Sequence, residues 1–177
     1  MELRLANTIE VFRTDLRWVA AVYDNHGLVS RLSFYNDSKK LAVAAVEEFL
    51  TPTHGIRKGG SELQTQMSRY ANGLPATFSK LSLAPCRTQF QTAVRQACRA
   101  VGYGKTATYG DLANSAGSPK AARAVGLCMR NNPIPIIVPC HRIVGIGDRL
   151  TGFSAGPGIS LKKALLEMEG VKRKFVN

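Results

Sequence analysis

The feature that most constrains the fold is a change in sequence pattern at Pro85. Before it, short runs rich in β-branched and aromatic residues alternate with turn residues between positions 8 and 35, which predicts an antiparallel β-meander. A helix is expected to follow over 41–50. After Pro85, apolar residues recur at helical spacing. We therefore expect an α+β chain with an N-terminal α/β domain over residues 1–85 and a mainly helical domain over residues 86–177.

The end of the first half carries weaker signals. Residues 51–60 read TPTHGIRKGG and predict a loop. Ser61 is a good N-cap for a second helix, with Leu63 and Met67 on its apolar side. Residues 81–84 are short and apolar, and they indicate a further strand before the boundary.

The charge is large and unevenly distributed. The chain carries 24 Lys and Arg against 12 Asp and Glu, a net charge of +12, and the excess is concentrated in residues 86–177. Such an imbalance favours a polyanionic partner, either nucleic acid or an anionic membrane surface, bound by the second half. No apolar run approaches the roughly 18–20 residues of a membrane span, and the N-terminus has no signal pattern. We expect a cytoplasmic protein, or a nuclear one in a eukaryotic host, without a membrane partner.

The second half predicts a helix-turn-helix. Helices are expected over 88–101 and 108–116, and Ser118-Pro119 supplies an N-cap and a first-turn proline for a third helix that runs through Met129. Two short helices joined by a tight glycine turn are the outline of this motif. A last helix is expected over 160–169, after a glycine-rich loop.

The cysteines do not indicate a metal site. None of the four is in a CxxC spacing, and Cys140-His141 is adjacent rather than spaced to chelate. Without an export signal we expect reduced thiols. The cysteines are Cys86, Cys98, Cys128 and Cys140.

Cys140 is also the sharpest chemical feature, because His141 and Arg142 follow it directly and apolar residues precede it. A thiol in such surroundings can become a reactive thiolate, although a buried cysteine is more often a packing residue. The nearby Asn132-Pro133 and the glycine-rich loop over 145–158 favour a pocket over a plain core.

Residues 104–170, with Pro-Cys-His-Arg-Ile at 139–143, resemble the O6-alkylguanine-DNA alkyltransferase family. The match includes Pro-Lys-Ala-Ala-Arg-Ala-Val-Gly at 119–126, whereas the N-terminal half matches only in outline. The resemblance implies a ribonuclease H-like N-terminal domain and a winged-helix-like C-terminal domain. It also implies irreversible, single-turnover transfer of the alkyl group from O6-alkylguanine or O4-alkylthymine in double-stranded DNA to the protein, with no cofactor or metal and a monomeric state.

The same resemblance assigns catalytic roles. Cys140 would accept the alkyl group, His141 would take the thiol proton through a water, and Glu169 would orient and charge-balance His141. Glu167 is close enough in sequence to be confused with Glu169, but the family motif places the acid directly before glycine.

Two further residues and a pocket follow from the family pattern. Asn132 would tie the recognition helix to the active-site turn, and its plainer role is a helix C-cap. Tyr109 would donate to guanine N3 and crowd the phosphate so that the nucleotide rotates outward. The pocket would be completed by Met129, Pro135, the backbone carbonyls of Cys140 and Ile143, and the backbone N–H of Ser154.

DNA contact is assigned to the minor groove. Arg123 lies among small residues that would let a helix approach DNA closely, and in the family the matching arginine fills the space of the extruded base. A helix packed on its neighbours with one solvated arginine is the plainer interpretation. The other DNA-contacting candidates are Lys120, Ala121, Ala122, Arg130 and Arg142, and for Lys120, Arg130 and Arg142 structural pairing remains open.

The chain departs from the family pattern in its glycine-rich loop. Phe153 stands where many relatives have tyrosine, and the stretch over 154–158 is about two residues longer than expected, with Ala155 in place of glycine. These changes bear on the range of alkyl groups accepted.

Three other functions compete with this interpretation. A non-catalytic damage sensor on the same fold would lack the acceptor cysteine, which is present as Cys140. A helix-turn-helix regulator gives no reason for the Pro-Cys-His-Arg-Ile motif. A cysteine hydrolase would turn over repeatedly, which disagrees with the irreversible formation of a thioether.

Overall fold

The structure is a computed structural model that describes residues 7–176, and it divides into two compact units between Ala84 and Pro85. It is a mixed α+β structure in which the first unit holds a four-stranded sheet and the second is mainly helical. No helix within residues 7–176 is both long enough and apolar enough to cross a bilayer.

The first unit is built on the predicted meander. Strands β1 (Thr8–Thr14), β2 (Arg17–Tyr23) and β3 (Val29–Asn36) pair antiparallel in sequence order. The two-residue strand β4 (Gly55–Ile56) pairs parallel to β1 and completes the order β3-β2-β1-β4. The expected loop over 51–60 therefore contains a strand, which no local pattern signals because its pairing partner lies more than 40 residues away.

Two helices cover the sheet of the first unit. Helix α1 (Lys39–Ala44) begins at the Ser38 N-cap, and its apolar side packs on strand residues such as Ile9. The predicted helix over 41–50 is wrong in its second half: α1 ends at Ala44, and a separate 3₁₀ turn, Glu47–Phe49, follows. Helix α2 (Glu62–Ala71) begins at the predicted Ser61 N-cap. Residues 81–84 form an isolated bridge to β3 rather than a strand.

The second unit places short helices around a two-stranded parallel sheet. In chain order its elements are α3 (Gln89–Ala100), β5 (Ala107–Thr108), α4 (Tyr109–Ser115), α5 (Ala122–Arg130), β6 (Ile143–Val144) and α6 (Ile159–Met168). The N-terminus of α4 has a full capping box, in which Thr108 and Asp111 satisfy each other's backbone N–H groups.

Helix α5 begins later than its sequence signals predicted. Ser118 and Pro119 do not start the helix, because the Ser118 carbonyl accepts the Ala121 N–H and closes a turn first. The helix starts at Ala122, so Lys120 and Ala121 precede it. At the other end the C-cap residue is Asn131 and not Asn132. The Asn132 side chain is therefore available for hydrogen bonds outside the helix.

Candidate active site

Cys140 begins a short 3₁₀ turn, Cys140–Arg142, and only 7% of the residue is exposed. The Asn132 amide Nδ2 donates to the Val138 carbonyl at 2.8 Å and lies 3.1 Å from the Cys140 Sγ. Its Oδ1 accepts the Ile134 N–H at 3.1 Å. Asn132 therefore connects residues on both sides of the turn with the sulfur. These contacts correspond to the connection that the sequence predicts between the end of α5 and the turn at Cys140.

The turn in front of Cys140 contains a strained residue. Ile136 has a φ of 70°, a left-handed conformation that β-branched residues rarely adopt. The Val138 N–H donates to the Ile134 carbonyl at 2.9 Å, and the Cys140 N–H donates to the Val138 carbonyl at 2.8 Å. Strain of this kind concentrates at functional sites, where the surrounding structure holds it in place.

His141 lies on the same turn with a fully buried side chain, and its Nε2 lies 2.7 Å from Glu169 Oε1. Glu169 is the C-cap residue of α6. The alternative acid, Glu167, is an exposed side chain 3.9 Å from the ammonium of Lys163. The structure thus brings Glu169 to His141 and leaves Glu167 at the surface.

Arg142 is not a surface cation. Its Nε lies 2.9 Å from Glu169 Oε2 and its Nη2 3.1 Å from Oε1, while Nη1 donates to the Val101 carbonyl at 2.7 Å. The side chain is 10% exposed. Of the two roles left open by the sequence, the structure shows the structural pairing, because the Arg142 guanidinium is engaged by Glu169 and the Val101 carbonyl inside the unit. Its contact with DNA stays a prediction.

Gly104 is a site residue that the sequence interpretation missed. Its backbone N–H donates to Glu169 Oε2 at 3.0 Å. Its φ is +70°, and a Cβ built on it would lie 2.9 Å from the Glu169 carbonyl oxygen. Only glycine combines this backbone conformation with this close approach.

The electrostatics of the pair favour a neutral imidazole. Burial alone would raise the pKa of Glu169, but the hydrogen bonds from His141 and Arg142 and the charge of Arg142 outweigh it and hold that pKa at about 2. Burial lowers the pKa of His141, and the attraction of Glu169 does not restore it. A carboxylate can only accept hydrogen bonds, so Nε2 carries the imidazole proton and Nδ1 is the basic nitrogen.

The resting thiol is protonated. Burial raises the pKa of Cys140, and the Asn132 hydrogen bond and the positive charge of Lys162 lower it without offsetting that effect. The sequence suggested surroundings that stabilise a thiolate directly. The structure instead provides a buried thiol beside a neutral histidine, so ionisation requires a base.

Lys162 is the second residue that the sequence interpretation missed. It is fully buried, and its Nζ donates to the Ile143 carbonyl at 2.5 Å and to the Thr151 carbonyl at 2.9 Å. Burial lowers its pKa to about 8. Its spacing from Leu165, Leu166 and Glu169 places it on the buried side of α6, and this helical spacing is a signal that could have revealed it.

A cavity of about 840 Å³ lies between the N-terminus of α4, helix α5 and the loop that follows β6. Tyr109 lines it and accepts a hydrogen bond from Thr151 Oγ1 at 3.1 Å, and burial raises the pKa of this tyrosine, which stays a neutral donor. Arg123 also lines the cavity and is exposed on α5. The residues that line the cavity are Thr108, Tyr109, Gly110, Ala122, Arg123, Gly126, Arg130, Gly145, Ile146, Thr151, Gly152, Phe153 and Ser154.

The four expected pocket residues do not lie together on this cavity. Ser154 lines it, and its Oγ donates to the Arg130 carbonyl at 3.2 Å. Met129 and Ile143 are buried in the unit, and Pro135 is half-buried. Within residues 7–176, no three His, Cys, Asp or Glu side chains are grouped so that they could hold a metal ion.

Comparison with known proteins agrees with this geometry. A family model described as 6-O-methylguanine DNA methyltransferase, DNA binding domain, matches residues 89–171. A methylated-DNA–protein-cysteine methyltransferase of Methanosarcina acetivorans is 37% identical over 164 residues, 90% of this chain and 96% of the relative. A protein of the same name from Haemophilus influenzae is 46% identical over 110 residues, 62% of this chain and 60% of the relative.

Solved structures give the same result. The structure of Mycobacterium tuberculosis OGT in complex with DNA is 32% identical, covers 92% of each chain and superposes with a TM-score of 0.72. The O6-methylguanine-DNA methyltransferase of Pyrococcus kodakaraensis is 26% identical, with a TM-score of 0.64 over 93% of this chain and 99% of that chain. The resemblance seen in the sequence is confirmed, and the chain belongs to the methylated-DNA–protein-cysteine methyltransferase family.

Proposed function

We propose that this chain repairs DNA by moving the alkyl group of O6-alkylguanine, and of O4-alkylthymine, onto Cys140. The observation that carries the proposal is the buried thiol of Cys140 next to His141, whose Nε2 is held 2.7 Å from Glu169. Family membership supports the same chemistry. Each molecule acts once and is inactivated by its own reaction.

The reaction follows from the protonation states. The Cys140 thiol loses its proton, through a water, to Nδ1 of the neutral His141, and Glu169 stabilises the resulting imidazolium. The thiolate attacks the alkyl carbon in line with the C–O6 bond. A sulfur–carbon bond forms, the carbon–oxygen bond breaks, and its electron pair leaves on the base. The product is a thioether, which offers no good leaving group, so the step is irreversible.

Tyr109 assists the departing base. Because Thr151 donates to its oxygen at 3.1 Å, the phenol proton remains available to guanine N3, which helps the base accept the electron pair. Asn132 positions the sulfur. The carbonyls of Cys140 and Ile143, together with Met129, Pro135 and the Ser154 N–H, complete the pocket of the extruded base.

DNA binds through the second unit, with α5 in the minor groove as the recognition helix of a winged helix-turn-helix. Small residues at Ala121 and Ala122 permit close approach, and Arg123 fills the space of the extruded base. Lys120 and Arg130 are exposed and contact phosphates. The first unit is ribonuclease H-like in outline, and the protein acts as a monomer.

The deciding experiment mixes the protein with duplex DNA that carries O6-methylguanine and measures the intact protein mass. One methyl group is gained, it maps to Cys140, and Cys140→Ala gains none. No gain, or repeated turnover of substrate, overturns the proposal.

Arg123→Ala tests the insertion role. Because free O6-benzylguanine needs no extrusion, this variant slows repair of duplex DNA by about 100-fold and leaves the reaction with the free base within about twofold. The matched control is Arg13→Ala, an exposed arginine on β1, which alters neither rate. Equal losses on both substrates contradict the insertion role.

A further inference from the structure

Ile146 is the most exposed large hydrophobic residue in the described part of the chain, with 90% of its surface open. It lies between Gly145 and Gly147 in the loop that follows β6, and the resemblance assigned it no role. An exposed hydrophobic residue is ordinary by itself, so its position and support decide whether it has a function.

The loop that carries Ile146 is a braced hairpin. The Gly145 N–H donates to the Arg149 carbonyl at 2.7 Å, and two positive φ angles, at Gly147 (71°) and Asp148 (57°), reverse the chain. A Cβ on Gly145 would lie 3.2 Å from the Arg149 Cβ, so the two sides of the hairpin approach closely.

The C-terminal segment supports the hairpin from behind. The Leu150 N–H donates to the Val176 carbonyl at 2.8 Å, and the Val176 N–H donates to the Asp148 carbonyl at 3.3 Å. Arg173 adds an ion pair with Asp148 at 2.7 Å. Ile146 is therefore presented to solvent by an ordered turn, and little conformational entropy would be lost when it contacts a partner.

Ile146 also lies at the cavity described above. It lines the same cavity as Tyr109 and Arg123, and it belongs to the loop that follows β6. The exposed cations around this cavity, Arg123 and Arg130, suit a polyanion. A single isoleucine flanked by glycines is far too small for a stable protein–protein interface.

We propose that Ile146 contacts the damaged DNA strand, where it packs against the apolar face of the deoxyriboses beside the extruded nucleotide. This inference rests on the proposed function, because it assumes that a nucleotide is extruded next to the cavity that Tyr109, Arg123 and Ser154 line. Proteins of the minor groove use apolar side chains in this way to hold a distorted duplex. Arg123 fills the vacated space from the α5 side, and Ile146 closes the cavity from the loop side.

The test compares Ile146→Ser with Ile56→Ser, which removes an 82% exposed isoleucine from β4 and serves as the matched control. Three quantities are measured: the affinity for duplex DNA that carries O6-methylguanine, its dependence on salt, and the rate of alkyl transfer from duplex DNA and from free O6-benzylguanine. Ile146→Ser weakens binding and slows transfer from duplex DNA by about tenfold, as expected for the loss of one buried aliphatic side chain.

Two further readouts identify the contact as apolar. The slope of affinity against salt stays that of the wild type, because no phosphate contact is removed. Ile146→Val, which keeps most of the apolar surface, restores affinity to within about threefold. Ile56→Ser matches the wild type throughout.

The inference is overturned if Ile146→Ser binds and repairs duplex DNA within twofold of the wild type, or if it slows the free-base reaction equally. Failure of the proposed function looks different: the wild type binds duplex DNA and Cys140 gains no alkyl group. In that case the affinities of the Ile146 variants still decide whether the residue touches DNA.

Discussion

Each unit of the molecule buries a glutamate, and the two carboxylates are treated differently. Glu10 on β1 is fully buried, and the Tyr23 hydroxyl donates to its Oε2 at 2.6 Å, while its Oε1 has no hydrogen-bond partner within residues 7–176. Glu169 in the second unit is held by His141, by Arg142 and by the Gly104 N–H. The first carboxylate has one neutral donor, and the second has a cation and two further donors.

Glu10 and Tyr23 therefore form a structural pair, whereas Glu169 belongs to a site that contains a buried cation. Among the buried polar residues of the described chain, Glu10 and Thr14 belong to the first unit, whereas all the buried groups that can carry positive charge belong to the second. Those groups are His141, Arg142 and Lys162. A buried charge is tolerated only when its partners are in place. Among the described residues, the buried cationic groups of the second unit and Glu169 form such a network, and the buried polar residues of the first unit include no cationic group.

The strongest test of this comparison replaces each glutamate by glutamine. Glu169→Gln leaves the Arg142 guanidinium buried without a counter-charge and is expected to lower the free energy of unfolding by about 4 kcal/mol. Transfer from free O6-benzylguanine is expected to fall by about 100-fold, because His141 loses the carboxylate that orients it. Glu10→Gln keeps an acceptor for the Tyr23 hydroxyl and is expected to change stability by about 1 kcal/mol or less. Urea denaturation and transfer rates measure both, and equal stability losses would contradict the comparison.

The acid range sharpens the same result. The pKa of Glu169 is about 2 in the folded chain and near 4.5 when unfolded, so its contribution to stability is complete above about pH 4.5 and is lost as the pH falls toward 2. The stability gap between wild type and Glu169→Gln should therefore narrow over this window. If the stability gap stays constant from pH 5 to pH 2.5, the partners of Glu169 do not lower its pKa in the folded chain.

A smaller effect is expected at the glycines of the two units. Gly104 and Gly27 have nearly the same φ, +70° and +75°, but a Cβ would meet the Glu169 carbonyl at 2.9 Å in the first case and nothing within 4 Å in the second. Gly27→Ala carries only the left-handed backbone penalty of about 1 kcal/mol. Gly104→Ala adds the clash and is expected to lose about 3 kcal/mol together with much of the transfer rate. Thermal unfolding of both variants is the measurement, and similar losses would mean that the backbone at Gly104 moves aside freely.

The sequence predicted what short-range patterns encode. Runs of β-branched and aromatic residues between turns located β1, β2 and β3, the Ser61 N-cap located α2, and the Pro-Cys-His-Arg-Ile motif pointed to the turn at Cys140. It could not predict β4, whose pairing is distant in sequence, nor the donation from Gly104 to Glu169, because a backbone N–H leaves no mark in the sequence. The two roles of Arg142 could not be separated for a related reason: an arginine in a basic half resembles a phosphate contact until a buried carboxylate is found beside it.

The smallest effect concerns the buried lysine of the second unit, and its neighbour supplies the control. Lys162 bonds two carbonyls from inside the unit, whereas Lys163 is exposed and lies 3.9 Å from Glu167. Lys162→Met leaves the Ile143 and Thr151 carbonyls without their donor and is expected to lose about 1–2 kcal/mol at pH 7, against less than about 0.5 kcal/mol for Lys163→Met.

The pH dependence of that loss tests whether Lys162 is truly desolvated. Burial lowers its folded pKa to about 8, below the 10.5 of the unfolded chain, so between these values the unfolded state binds more protons. The contribution of Lys162 to stability must then rise with pH over this window, and the gap between wild type and Lys162→Met widens from pH 8 to pH 10. Lys163→Met, which removes an exposed lysine, is the matched control, and its gap to the wild type is expected to stay flat. A constant gap at Lys162 would mean that water reaches the ammonium and that burial does not lower its pKa.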